Sequence, residues 1–342
     1  MSTTPTTSDT ESDGKLQNNS PRSSGIIMEN PFPATYTVIG GPAVAQDKQM
    51  RDFSIILLNR GGSMNRAEVL EDLEKLHPDE IISIENPGNT WGIESLAVRF
   101  PRVRFILLQQ QTNPGQCINI GMQEASGRFA AVFWNDMKVM PAGFSESALK
   151  SLQDNPVLCS APLFQGQKNE SLPVLQVPAF QKKKLRILSV LPTKENSPDL
   201  FPYDYCGIYL RESFLSLGGY DSRIQNPYWQ KTDFGFRSCL WGEKIVLNRA
   251  FRVTASETSP AENTGIDSGY RMFFLKNLAV RFTGTECELP SAIFFSFFFH
   301  SRCGFFTALT EFRLAGKWVS RNAQRFKMDS RSIAEQWEDP SE

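Results

Sequence analysis

Phe53-Ser54-Ile55-Ile56-Leu57-Leu58, closed by the polar turn Asn59-Arg60-Gly61-Gly62, is a short unbroken apolar run. It suits a strand buried on both faces. The following residues predict a helix over 64–76, with Val69, Leu70, Leu73 and Leu76 on one face and Glu68, Glu71, Asp72 and Lys75 outward. A strand over 80–85 comes next, then the loop Asn86-Pro87-Gly88-Asn89, a helix near 91–99 and a strand over 103–108. A helix over 116–126, ended by Gly127, and the strand Phe129–Trp134 complete the alternation. Buried strands alternating with helices predict an α/β fold with a doubly wound, mostly parallel sheet. Ligands of such sheets bind beyond the carboxyl ends of the strands, which singles out loops 59–62, 85–90, 109–115 and 135–138.

Working outward, residues 1–50 are rich in Ser, Thr, Asn, Pro and Gly and read as a disordered tail. The α/β domain is expected over 51–260, a helical Phe-rich extension over 261–325 and a polar tail over 326–342. Residues 157–200 carry several prolines and suit a loop region. A strand over 205–210, helices over 211–217 and 231–242, and a returning strand from Lys244 follow. Two apolar helices, 268–282 and roughly 290–315, end the pattern. The chain of 342 residues balances 36 basic against 37 acidic side chains, which argues against nucleic acid as a partner. Its one basic cluster, Lys182-Lys183-Lys184-Leu185-Arg186, reads as a solvated surface segment or a site for acidic lipid headgroups. Six cysteines without a CxxC pair suit reduced thiols, and no charged-then-apolar leader opens the chain, so a cytoplasmic location is expected.

The second half holds Gly218-Gly219-Tyr220-Asp221, followed by Lys231-Thr232-Asp233-Phe234-Gly235-Phe236-Arg237. About a hundred residues upstream stand Asn113-Pro114-Gly115-Gln116-Cys117-Ile118-Asn119-Ile120-Gly121 and then Ala125-Ser126-Gly127. Together, over roughly residues 53–285, these blocks resemble the inverting family 2 glycosyltransferases of the GT-A fold. The resemblance implies a transferase that moves a sugar from a nucleoside diphosphate sugar to a hydroxyl on a glycan or lipid-linked saccharide. It implies donor contacts from Asn59, Glu85, Asn86, Gly115, Asn119, Asn135 and Asp136. It also makes Asp233 the general base that takes the acceptor proton, with Arg237 one helical turn away to orient it or meet a phosphate. Tyr228 and Trp229 could form an aromatic platform for a sugar ring, or pack in the core.

The metal motif departs from the pattern. The fourth strand of the family ends in an Asp-x-Asp-like triplet that ligates Mg²⁺ or Mn²⁺, whereas this chain reads Asn135-Asp136-Met137-Lys138. A thioether is a poor ligand for a hard cation. Asp136 would ligate only after a one-residue slip, and Glu257 is the one substitute for the family's late His. Lys138 carries a cation that could meet a phosphate in the ion's stead. A catalytically inactive nucleotide-sugar-binding protein on the same fold is therefore the competing reading. No Gly-x-Gly-x-x-Gly after a strand, no Walker-type loop and no Gly-x-Ser-x-Gly elbow is present. Residues 290–312 gather nine Phe and Ile side chains from Ile293 to Phe312, followed by Arg313, Lys317, Arg321 and Arg325. That layout suits either a helix lying in a membrane surface or one packed on the catalytic domain.

Overall fold

The computed structural model describes residues 34–41, 52–60, 65–88, 90–140, 152–166, 168–181, 184–255 and 262–337. Four strands form the centre of the sheet: β2 (Phe53–Leu58), β3 (Glu80–Glu85), β4 (Val103–Leu108) and β5 (Phe129–Trp134). They lie parallel in the order β4-β3-β2-β5. β2, β3 and β5 are buried along their whole length, which is why their sequences are unbroken apolar runs with no alternation. Helices α1 (Arg66–Glu74), α2 (Ile93–Arg99) and α3 (Pro114–Glu124) connect them. The expected α/β class is observed.

Beyond the parallel block the sheet becomes mixed. At one edge β1 (Tyr36–Gly40) pairs antiparallel with β4, so this part of the expected tail is built into the domain. The rest of the tail, residues 1–33 and 42–50, lies outside the described residues. At the other edge β11 (Gly207–Leu210) runs antiparallel between β5 and β7 (Cys159–Gln165). Strand β12 (Ile245–Ala255) pairs parallel with β7 and antiparallel with β6 (Met137–Val139) and β10 (Ser197–Pro198). The stretch 157–200, expected as loop, therefore supplies β7 and a hairpin of β8 (Leu175–Gln181) and β9 (Lys184–Val190). Lys182 and Lys183 of the basic cluster lie outside the described residues, as does Glu257.

Helix α4 (Arg211–Leu217) ends in the Gly218-Gly219 turn, and α5 (Pro227–Leu240) follows. Both glycines take left-handed φ, +87° and +62°, a region that side chains with a Cβ enter at a cost. At Gly219 a Cβ would also collide with the amide oxygen of Asn119. The C-terminal helices are α6 (Ser268–Phe273), which continues as a π-type turn over Phe274–Leu278, α7 (Ile293–His300), α8 (Phe305–Asn322) and α9 (Ser330–Trp337). The expected single helix over 290–315 is thus two helices broken at 301–304. Nor is the stretch after 326 merely polar: Phe326 and Ile333 join Trp229, Phe236, Phe273 and Val319 in a second core that fastens this extension to α5. No helix among the described residues is long and apolar enough to cross a membrane. Phe295, Phe299 and Phe306 of α7 and α8 are largely exposed.

Candidate active site

The carboxyl ends of β2, β3 and β5 open on a cavity of about 330 Å³, lined by Asn59, Arg60, Asn86, Pro87, Thr112 and Trp134 among others. This is where the topology of an open parallel sheet places a ligand. Asn59 is buried and donates from Nδ2 to the Ile84 carbonyl at 3.0 Å and to Glu85 Oε1 at 3.1 Å, tying the end of β2 to the end of β3. Asn86 accepts the backbone N–H of Thr112 at 3.4 Å and stands on the cavity wall.

Arg60 commands the mouth. Its backbone N–H donates to Asn135 Oδ1 at 3.1 Å, its Nε donates to Asp136 Oδ2 at 3.0 Å, and its Nη1 forms a close ion pair with Asp204. The guanidinium lies over the Trp134 ring at 4.5 Å, and the Trp134 indole N–H in turn donates to the Asp204 carbonyl at 2.9 Å. Burial alone would lower the Arg60 pKa, but the Asp204 and Asp136 carboxylates outweigh it and hold the cation above its ordinary value. Asp204 sits in left-handed backbone at φ +50°. Burial pushes its carboxyl above the ordinary range, with Arg60 and Lys231 pulling it back part of the way. Behind it Lys231, itself buried, is paired with Glu262 and lies 5.3 Å from the Tyr205 ring. Carboxylate and cation thus alternate from Asp136 through Arg60 and Asp204 to Lys231 and Glu262.

The sequence-derived site residues divide into two groups. Asn59, Asn86, Asn135 and Asp136 lie at this cleft or in direct contact with Arg60. Glu85 follows Ile84 but turns inward: it is 1 % exposed, accepts Ser83 Oγ at 2.7 Å, and has Arg66 Nη2 at 3.6 Å. Burial raises its pKa, and it lines a space of only about 10 Å³ rather than the larger cavity. It braces the strand ends and does not present a carboxylate to the larger cavity. Met137 is buried in the main core and Lys138 points to solvent on β6, its backbone paired with Thr254.

The second group lies behind the cleft. Asn119 accepts the Tyr220 N–H at 2.9 Å and donates to the Tyr220 carbonyl at 2.7 Å, so it clasps the Gly218-Gly219-Tyr220-Asp221 turn. Arg237 donates to the Leu217 and Gly219 carbonyls at 2.6 and 2.8 Å and to Asp233 at 2.9 Å. Asp233 has no exposed surface. It is enclosed by Arg237, by Lys276 at 3.1 Å and by the Asn277 amide at 2.9 Å. Burial would raise its pKa, but Lys276 and Arg237 overcome that and hold it below the ordinary range. A carboxylate sealed and neutralised in this way is a structural hub, and in this conformation it does not reach an acceptor hydroxyl. Gly115 accommodates α5 where a ligand was expected: a Cβ there would stand 2.6 Å from the Tyr220 Cβ, and its N–H donates to Gln230 at 3.0 Å. Trp229 is buried, stacked on Phe273 with its indole N–H on the Gly265 carbonyl, while half-buried Tyr228 packs edge-on against it. Neither forms an open platform.

Arg60 and Trp134 line the cleft, Asp204 and Lys231 stand buried behind them, and the motif reading gave none of the four a role in the site. An Arg in the polar turn that closes a fully buried strand is the one local signal that pointed to any of them. The donor set of the described residues does not suit Mg²⁺ or Mn²⁺. Among the described residues no group of three or more His, Cys, Asp or Glu converges, and Asp136 and Asp204 already share the Arg60 guanidinium.

No family model and no curated protein matches the chain. Solved structures do. GalNAc-T7 with UDP, GalNAc and Mn²⁺ superposes at a TM-score of 0.50 with 14% identity, over 67% of this chain and 51% of that one. S. aureus TarS gives 0.47 with 14% identity over 66% of this chain and 38% of that one. TarS 1–349 in complex with UDP-GlcNAc gives 0.48 with 13% identity over 65% of each. The chain thus spans about half the length of the GalNAc-T7 chain it matches. The fold is that of GT-A-like glycosyltransferases.

Proposed function

We propose that the chain binds a nucleoside diphosphate sugar in the cleft beyond β2, β3 and β5 and transfers the sugar to a hydroxyl acceptor, with Arg60 in place of a divalent ion. The observation that carries this reading is the Arg60 guanidinium, stacked on Trp134 and forked between Asp136 and Asp204 at the cavity mouth. Departure of a nucleoside diphosphate leaves negative charge that a preorganised cation stabilises, and a planar guanidinium matches phosphate oxygens in two-point contact. Nε and Nη1 are engaged, while Nη2 has no acceptor among the described residues. An inverting course, as in family 2 enzymes, needs a base on the cleft side. Asp204 is the carboxylate there whose burial-raised pKa suits proton acceptance; Asp233 would serve only in a conformation that frees it. The exposed Phe295, Phe299 and Phe306 beside Arg313 and Lys317 support a lipid-linked acceptor met at the inner face of the cell membrane.

One observation favours a second reading, donor binding without transfer. Asp136, Asp204 and Glu262, the carboxylates of the cleft network, are all engaged by cations. Thermal shift against UDP-, GDP- and dTDP-sugars, then donor turnover with EDTA or excess Mn²⁺, separates the two. Turnover indifferent to EDTA and lost in Arg60→Ala is the expected result. Binding without hydrolysis or transfer selects the second reading, and no binding to any donor rejects both. Activity abolished by EDTA and restored by Mn²⁺ rejects the role of Arg60.

A further inference from the structure

A second concentration of positive charge lies outside the cleft. A separate cavity of about 270 Å³ lies between the Gly218-Gly219-Tyr220-Asp221 turn, the C-terminal half of α5 and the end of α8. It shares no lining residue with the cavity beyond β2, β3 and β5. Five cations, Arg223, Arg237, Lys276, Arg321 and Arg325, stand on its wall against one carboxylate, Asp221. Asp221 is already held by Arg223 at 2.6 Å and Lys276 at 2.9 Å, and Asp233 behind the wall is held by Arg237 and Lys276.

Two of the cations, Lys276 and Arg325, lie against a pair of stacked indoles. Trp241 and Trp318 stack at 6.0 Å, Arg325 lies 4.9 Å over Trp241, and the Lys276 ammonium lies 4.4 Å from the Trp318 ring. Arg325 donates to the Ser216 carbonyl at 2.6 Å and has no carboxylate in ion-pair range among the described residues. Burial, and then the like charge of Arg237, lowers its pKa, as expected of a cation held close to others without a counter-charge. The Trp241 indole N–H, on the same wall, is buried and has no acceptor among the described residues.

We propose that this cavity is a second ligand site, built to hold the phosphoryl group of a phosphate or phosphate ester. Like-charged side chains kept together cost stability unless an anion completes them. Among the described residues the Arg325 guanidinium is engaged only at Nη1, and with the spare Trp241 indole donor beside a wall of further cations it suits the several oxygens of a tetrahedral phosphoryl group better than the two of a carboxylate. The site does not depend on the reading of the cleft, because none of its cations contacts Arg60 or its partners.

The test uses the full chain and three probes: inorganic phosphate, pyrophosphate, and phosphatidylcholine vesicles with or without phosphatidic acid, whose headgroup is a phosphomonoester. Binding is followed by calorimetry and by co-sedimentation for wild type, Arg325→Gln, Arg321→Gln and Arg60→Gln, with circular dichroism confirming that each variant folds. Expected is saturable binding to at least one probe, weakened at least tenfold by Arg325→Gln and measurably by Arg321→Gln, and retained in Arg60→Gln. Binding to free phosphate or pyrophosphate alone identifies a soluble ligand; vesicle binding that needs phosphatidic acid and Arg325 identifies a headgroup. Absence of binding to all three probes overturns the proposal. So does binding insensitive to both Arg325→Gln and Arg321→Gln, or binding abolished by Arg60→Gln, which would put the anion in the cleft.

Discussion

Two ionic networks of similar composition meet α5, one through Lys231 and the other through Asp233 and Arg237, and they differ in what closes them. Around Arg60 one guanidinium serves two carboxylates at the rim of a cavity, with its side chain 25 % exposed. Around Asp233 one carboxylate serves Arg237 and Lys276 with no exposure at all. In the first, burial wins at Asp204 and its pKa rises; in the second, two cations win at Asp233 and its pKa falls. The difference teaches that an acid on a helix next to an Arg identifies a charge pair, and that the direction of its opening decides between support and chemistry.

The largest expected effect breaks the comparison at its sealed end. Asp233→Ala leaves Arg237 and Lys276 buried without their shared partner. Removing one member of a buried charge pair typically costs about 3–5 kcal/mol, so urea unfolding should show a loss of that order. Asp233→Asn should cost less, because an amide can still accept from Asn277 and Arg237. A well-folded Asp233→Asn protein with wild-type urea midpoint and no turnover would reinstate Asp233 as the base.

Next in size is the open end. Arg60→Ala should weaken donor binding at least tenfold, about 1.4 kcal/mol, while the urea midpoint falls less than in Asp233→Ala, because Arg60 is partly solvated and Lys231 still faces Asp204. It also frees two neighbouring carboxylates, so donor affinity in this variant should become responsive to Mn²⁺ where the wild type is not. Calorimetric titration of the preferred nucleotide sugar, with and without Mn²⁺, checks both. Unchanged affinity in Arg60→Ala would dissolve the distinction between the two networks.

The pH dependence sharpens the same contrast. Asp233 has a folded pKa below its unfolded value, near 3.9 for an ordinary Asp. Its contribution is therefore fully present above that value and is lost as pH falls through the folded pKa. Asp204 is the reverse: its charged form is disfavoured in the folded state at neutral pH, and that penalty disappears as pH falls through its raised pKa. The stability gap between wild type and Asp233→Asn should stay flat from pH 7 to about 5 and close only below about 4. The gap between wild type and Asp204→Asn should move in favour of the wild type as pH falls through the raised Asp204 pKa, at higher pH than any change at Asp233. Parallel curves for the two variants would show that both carboxylates sit in equivalent environments.

The sequence exposed the parallel block almost to the residue, because β2, β3, β4 and β5 are strongly buried and their apolar runs have clear polar ends. It concealed β1, whose burial is partial and unpatterned at a sheet edge, and the β8–β9 hairpin, whose Pro178 argued against a strand. At the site, the order of Asn119, Gly219, Asp233 and Arg237 along the chain was legible, but not the side of α5 on which they meet. Their polar groups are spent on the Gly218-Gly219 turn. The pairing of Arg60 with Asp204 spans 144 residues and that of Lys276 with Asp233 spans 43, and no local pattern announces such partners. Arg60 was visible as part of the polar turn Asn59-Arg60 that closes a buried strand; Asp204 and Lys231 were not.

The smallest expected effect concerns Lys138, the residue the motif offered as a stand-in for a metal. In the strand-end register Lys138 sits beside Met137, whose side chain goes into the core, so alternation along β6 sends Lys138 the opposite way, to solvent. The cation at Asp136 is Arg60, at 3.0 Å. Lys138→Ala should therefore leave donor affinity within about twofold of wild type, as for an ordinary surface substitution, and should not change its response to EDTA. The double variant Arg60→Ala/Lys138→Ala should be no weaker than Arg60→Ala alone, since residues without a shared partner act independently. A further drop in donor affinity in the double variant would mean that the β6 turn rearranges when donor binds and brings Lys138 to the diphosphate. The charge of the missing ion would then be divided between two side chains.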